Sequence, residues 1–209
     1  MADATTFDTF TRKTAATLRT NDHPPATRAD WDARRTTVRA AVRAAIGPVP
    51  AEPCPLNPQL LGTLDRTGYR VEKLAFQSRP DVWVTANVYV PAGGTGKRPA
   101  VLAVHGHHAW ARIDPTVQSY CIGLATLGFV VLCVDAFGAG ERHASPARGT
   151  YHGSLDGAAL WPVGQTLLGM QLYDNRRAVD YLLTRPEVDP NRLGVTGASG
   201  GGNQTMYAG

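Results

Sequence analysis

The stretch Gly197-Ala198-Ser199-Gly200-Gly201 follows the apolar run RLGV and precedes a helix expected from about Gly202. It has the form G-x-S-x-G. Small residues two before and two after a serine permit a strained strand-to-helix turn that lifts the hydroxyl clear of a sheet. The backbone N–H of Gly200 then faces the same point as one half of an oxyanion hole, helped by the positive end of the helix dipole. The chemistry implied is attack by Ser199 on an acyl carbonyl. The same letters suit a second chemistry, a glycine turn on which a dinucleotide pyrophosphate rests. Three features oppose it. The third glycine of that spacing falls on Asn203, and the strand is the fifth expected along the chain rather than the first. The ribose-binding acid, due about 20 residues on, would fall beyond the chain end. A glycine turn with a purely structural role is the third reading.

A second amide donor is expected from the loop after the run VLAVHG, where His105-Gly106-His107 lies. The backbone N–H of His107 is the expected donor, and its side chain is not required for that role. His105, next to the sheet, reads as a hydrogen-bonded core histidine. A metal site on His105, His107 and His108 is the alternative. The Asp-His that would complete an H-x-H-x-D-H set is replaced by Ala109-Trp110, so neither metal nor cofactor is expected.

The next strand ends in DAFGAGERH. Here Asp135 shapes the turn, Gly138 and Gly140 supply positive φ, and Glu141 with Arg142 ties the loop down by charge-assisted hydrogen bonds. Direct catalysis by Asp135 is the rival role.

These loops need a scaffold. From Thr27, Trp31, Val38, Val42 and Ala45 recur at near-helical spacing, with Asp30 as the expected N-cap and Gly47-Pro48 as the stop. Residues 48–58 are a proline-rich extended connector. YRVEKLAFQS and the strictly alternating DVWVTANVYV make an antiparallel pair turning at Arg79-Pro80-Asp81. After Pro91 the pattern changes to the continuous apolar runs 100–106, 129–135 and 192–197. They alternate with helices from Asp114-Pro115 to Gly128 and over 165–184. The second helix is expected to face inward through Leu168, Leu172, Val179, Leu182 and Leu183. Uninterrupted strands with helical crossovers mean a parallel sheet covered on both faces. The fold class is α/β: an antiparallel lead-in hairpin, then a doubly wound parallel sheet. The domains expected are an N-terminal helical segment with its connector, 1–58, and an α/β domain, 59–209.

Composition fits a globular chain. Its 209 residues are 43% hydrophobic and 18% charged, with net charge +4 and a pI near 9.1. The arginines at 28, 34, 35, 39 and 43 read as one solvated helix face, with no nucleic-acid motif beside them. No run approaches the roughly 20 apolar residues of a membrane span. The N-terminus has neither the basic nor the apolar region of a secretory signal. Cys54, Cys121 and Cys133 read as free thiols, and the cytoplasm is the expected compartment.

Taken together, RPAVLAVHGHH, LGFVVLCVDAFGAGER and MQLYDNRRAVDYLLTRPEVDPNRLGVTGASGGGNQ resemble the α/β-hydrolase superfamily. Within it the similarity is to the acetyl xylan esterase-like branch, with dienelactone hydrolases and prolyl oligopeptidases as relatives. The resemblance runs from about Trp31 to the last residue. It implies an ester-hydrolysing Ser-Asp-His enzyme of eight strands, with Ser199 as nucleophile and Gly200 and His107 as backbone donors. The implied substrate is a small acyl ester, plausibly on a carbohydrate. A prolyl-oligopeptidase-like peptidase, an NAD(P)-binding reductase and a non-catalytic fragment are the alternatives.

In that superfamily the acid and the histidine follow the nucleophile, and none of the six histidines here lies after Ser199. His143 and His152 fall in the insertion before the long helix, from which one of them could approach the site. The expectation is a C-terminally truncated hydrolase whose last strand becomes an apolar edge. Such an edge calls for a complementing C-terminal chain or self-association.

Overall fold

The computed structural model describes residues 4–20, 22–142 and 155–209. The chain divides into two compact units, Met1–Ala45 and Ile46–Gly209. In the first, helix α1 (Ala4–Leu18) was not foreseen from sequence, and its apolar side chains Phe7, Phe10 and Leu18 are all solvent-exposed. Helix α2 (Arg28–Ile46) begins one residue after Thr27. Thr27, not Asp30, is its N-cap. The Thr27 carbonyl accepts from Trp31 N at 3.1 Å and its hydroxyl from Asp30 N at 3.1 Å, while the Asp30 carboxylate accepts from Thr27 N at 3.0 Å. This reciprocal box places the acid three residues inside the helix, where it also suits the dipole. The arginine face is solvated, with Arg28 2.9 Å from Asp32.

The second unit is built on one six-stranded sheet. Its strands are β1 (Gln59–Arg66), β2 (Tyr69–Arg79), β3 (Val82–Pro91), β4 (Arg98–Val104), β5 (Val130–Val134) and β6 (Val188–Gly197), ordered β1-β2-β3-β5-β4-β6. β1 was also missed by sequence. It carries a register shift between Leu60 and Gly62, and its leucines at 60 and 61 are exposed, so no period of two marks it. The expected hairpin is β2 and β3, antiparallel and in register from Tyr69↔Pro91 to Gln77↔Trp83. β3 runs antiparallel to β5, and β4 runs parallel to both β5 and β6. The sheet is therefore mixed, with the hairpin first and the parallel strands after it.

The continuous apolar runs are explained by two cores. On one face Phe76, Val84, Val88, Leu102, Val104 and Leu132 pack with Ala178 and Leu182 of helix α5 (Leu167–Thr184), which follows the short helix α4 (Leu155–Ala159). On the other, Tyr89, Ala103, Val131 and Cys133 pack with Val117, Cys121 and Ala125 of helix α3 (Pro115–Thr126). Successive residues of one strand thus point into opposite cores. Each fully buried Val or Leu contributes about 1.5–3 kcal/mol. α3 starts as its sequence implies, with Asp114 accepting from Thr116 N at 3.0 Å and Pro115 in the first turn.

The inward face of α5 differs from the expected leucine stripe. Leu182 is buried, but Leu183 is 47% exposed and Leu168, Leu172 and Val179 are only half-buried. The buried positions are Met170, Tyr173 and Ala178 together with the polar Gln171, Asp174, Asn175 and Arg177. Polar residues on a buried face are invisible to an apolar count, and here they serve the loops described next.

α3 connects β4 to β5, and α5 leads from β5 past β4 to β6, so the winding reverses beside β4. In open α/β sheets such a reversal marks the ligand crevice at the carboxyl ends of the strands. The loops after β4 and β6 flank it.

Candidate active site

Ser199 sits between β6 and helix α6 (Gly200–Ala208) with φ 57° and ψ −121°. A non-glycine residue at that conformation is strained by about 1–3 kcal/mol and persists only where its surroundings enforce it. The enforcement comes from close backbone approach. A Cβ on Gly201 would lie 2.2 Å from the Val104 carbonyl oxygen, and one on Gly197 would lie 2.4 Å from the same atom. Only glycine fits either position. The Ser199 side chain is exposed and makes no capping hydrogen bond to α6, although serine is a preferred cap. Its carbonyl accepts from Asn203 N at 3.1 Å, so Gly200 N–H belongs to the first turn, whose amides have no partner within the helix.

The β4 loop lies directly against this bend. A Cβ on Gly106 would come 2.6 Å from the Ala198 carbonyl oxygen, 3.1 Å from Ser199 Cβ and 3.3 Å from Gly200 N. The structure thus brings Ser199, Gly200 and the Gly106-His107 segment together. The His107 side chain is exposed.

His105 is 1% exposed, and its ring is held from two sides. Nε2 faces Ala136 N at 3.1 Å and Nδ1 faces the Gly106 carbonyl oxygen at 2.8 Å. Burial pushes its pKa down to about 4; His108 and Arg112 push the same way, against the Gly106 carbonyl and Asp114. Gln204 of α6 donates to the His105 carbonyl at 3.4 Å and accepts from Asn175 of α5 at 2.9 Å. These two side chains tie α5, α6 and β4 together beneath the bend.

The loop after β5 is built on Asp135, which is fully buried. Its carboxylate accepts from Thr85 Oγ1 at 2.8 Å, from Arg112 N at 3.2 Å and from Glu141 N at 3.2 Å, and it pairs with the Arg112 guanidinium. Gly138 and Gly140 have φ of 80° and 59°. A side chain at 140 would collide with the Asp135 carboxylate, since its Cβ would lie 2.3 Å from Cγ. Glu141 pairs with Arg112 at 2.8 Å, while Arg142 pairs with Asp174 at 2.8 Å and donates to the carbonyls of Trp83 and Asp135. Arg79, over the Tyr173 ring, is 3.3 Å from Asp174.

Arg112, Asp174, Arg79, Asn175 and Gln204 escaped the sequence reading. Each pairs with a residue at least 23 positions away in the chain, so no local spacing announces them. The one signal available was a run of polar residues within the apolar period of α5.

His108 Nδ1 lies 3.4 Å from Asp114 Oδ1. Among the described residues no group of three or more His, Cys, Asp or Glu side chains stands close enough to hold a metal ion. His143 and His152 lie outside the described residues. No helix among those described is long and apolar enough to cross a membrane.

An antiparallel hairpin feeding parallel strands, with a serine on a strained strand-turn-helix bend, is the architecture of an α/β-hydrolase. The chain belongs to the Abhydrolase family, whose model matches residues 12–209. A Bacillus subtilis protein named as a hydrolase, YtaP, is 28% identical over 159 residues, which cover 71% of this chain and 51% of that one. Among solved structures, a Bacteroides fragilis protein described as an acetyl xylan esterase superposes with TM-score 0.71 at 22% identity, covering 90% of this chain and 51% of its own. The methylesterase BT1017 superposes with TM-score 0.74 at 26% identity, covering 88% of this chain and 39% of its own. The chain spans about half the length of the relatives it matches.

Proposed function

We propose that this chain carries the nucleophile and the oxyanion-binding half of a serine esterase. The observation that carries the reading is Ser199 held at φ 57° between two glycines, exposed and not spent on capping α6. In the reaction the Ser199 hydroxyl loses its proton to a histidine base as Oγ attacks the ester carbonyl. The Gly200 and His107 amides then donate to the developing oxyanion. Collapse of the tetrahedral species expels the alcohol, which takes the proton from the histidine, and leaves an acyl-serine. Water, deprotonated by the same histidine, releases the acid and restores Ser199.

The base and its carboxylate partner come from outside the described residues. In the superfamily order they follow the nucleophile. The substrate is a small acyl ester, with acetylated carbohydrate the first class to assay, in line with the names of the structural neighbours. The three free cysteines accord with a reducing compartment.

The test is labelling of the full-length protein with a fluorophosphonate probe, followed by peptide mass spectrometry. Label is expected on Ser199, and Ser199→Ala is expected to lower p-nitrophenyl acetate turnover by at least about 10³-fold. Turnover that survives Ser199→Ala overturns the proposal.

A further inference from the structure

The loop after β4 folds back on itself in three short turns. His108 N donates to the Gly106 carbonyl at 2.9 Å, Ala111 N to the His108 carbonyl at 3.0 Å and Ile113 N to the Trp110 carbonyl at 3.0 Å. Ala111 stands at φ 50°, a left-handed conformation that a residue with a Cβ keeps only where its surroundings enforce it. It is 1% exposed and packs with Ala136 and Ala139. The next residue, Arg112, is also buried; its N–H donates to Asp135 Oδ1 at 3.2 Å and its guanidinium pairs with Asp135 and Glu141. Two successive inward residues leave their neighbours outside, with Trp110 46% and Ile113 49% exposed. Residues three apart in a 3₁₀ turn eclipse one another, so Trp110 and Ile113 stand on the same side of the turn Ala111–Ile113. The Gly106 end of the loop abuts Ser199 Cβ and Gly200 N. From His107 to Trp110 the chain spans at most about 10 Å, and the turns shorten this, so Trp110 lies at the edge of the acyl site.

We propose that Trp110 is a specificity-determining residue: its indole is the platform on which the sugar ring of an acetylated glycoside stacks while the acetyl carbonyl meets Ser199. The proposal rests on the serine esterase reading above and deepens it by naming the alcohol half of the ester. Apolar surface left in water is unfavourable, and here a strained turn anchored on Asp135 holds an indole in water beside the nucleophile. In a β-glucopyranoside every ring substituent is equatorial, so the ring faces present C–H groups and the hydroxyls lie at its edge. A flat apolar face with a polar rim matches an indole, whose face is electron-rich and whose N–H edge hydrogen-bonds to water. A platform already fixed by its turn loses little freedom when substrate arrives.

The test measures kcat/KM of the full-length protein on three acetyl esters: methyl β-D-glucopyranoside monoacetate, phenyl acetate and vinyl acetate. A nucleic-acid base stacked on an aromatic side chain loses about tenfold or more in affinity when that side chain becomes alanine, and a sugar face on an indole is expected to lose a similar factor. Trp110→Ala is therefore expected to lower kcat/KM for the glucoside at least about tenfold relative to vinyl acetate, chiefly through KM. Trp110→Phe keeps a ring face and is expected to recover most of that loss. A glucoside-to-vinyl ratio that Trp110→Ala leaves unchanged overturns the proposal, as does a loss that Trp110→Phe does not recover. A loss on phenyl acetate as large as on the glucoside marks an aryl platform and overturns it too. If Ser199→Ala leaves turnover of all three esters intact, the serine esterase reading has failed; if it abolishes turnover while Trp110→Ala leaves the ratio unchanged, only the platform has failed.

Discussion

At the residue scale the candidate site consists of exceptions to ordinary backbone rules, each tied to a neighbour. Ser199 occupies a strained φ because β6 must turn into α6 without room for a side chain at 197 or 201. The strain is local and its removal is testable. Gly201→Ala forces a methyl against the Val104 carbonyl and is expected to destabilise by about 2–4 kcal/mol, read as a lowered denaturant midpoint at unchanged slope. Unchanged stability in that variant would mean that the bend is not as tight as described. The G-x-S-x-G spacing alone pointed to this bend, because tight turns are written in adjacent small residues. The way the His105 ring is held was not legible. Sequence identified it as a core histidine, but the direction of a ring is set by partners 31 residues away in the chain.

At the element scale the strands were legible and one helix face was not. β2 through β5 are continuous or alternating apolar runs that solvent exclusion demands, while β6 keeps an apolar run at the sheet edge although most of it is exposed. β1 and α1 are each largely exposed, so burial does not mark them in the sequence. α5 shows the converse. Its buried face carries Asp174 between Arg79 and Arg142, with the Asp174 side chain 2% exposed. This pair of bridges ties α5 to the end of β2 and to the loop after β5. Removing the charge leaves two guanidinium groups uncompensated, so Asp174→Asn is expected to cost about 3–5 kcal/mol in urea denaturation. A cost below about 1 kcal/mol would show that water reaches those groups.

At the scale of the whole molecule, stability depends on pH through the same histidine. The folded pKa of His105 is about 4, and its ordinary value is 6.5. A group depressed on folding contributes stability that is complete above its unfolded pKa and is lost as pH falls toward the folded one. Between pH 6.5 and 4 the unfolded chain takes up a proton that the folded chain refuses, and stability declines by roughly 3 kcal/mol. His108, Arg112 and Asp114 are the other charged or titratable groups that act on this ring, with Asp114 opposing the first two. Between pH 7 and pH 4.5 the loss should be smaller by about 2 kcal/mol in His105→Asn, measured as urea stability. A wild type and variant with parallel pH profiles would contradict it. The glutamate at 72 adds in the same direction: burial raises its pKa, but the hydrogen bond and charge of Arg185 outweigh this and leave it lowered.

The α/β class, the hairpin, the parallel runs and the serine bend are all local statements, and a linear chain carries them in the order of small, apolar and turn-forming residues. The strand order β1-β2-β3-β5-β4-β6, the polar inner face of α5 and the setting of the His105 ring are not local. They depend on which distant groups meet once the chain closes, and partners such as Arg112 with Asp135, Asn175 with Gln204, or His105 with Ala136 acquire meaning only when folding removes the water between them.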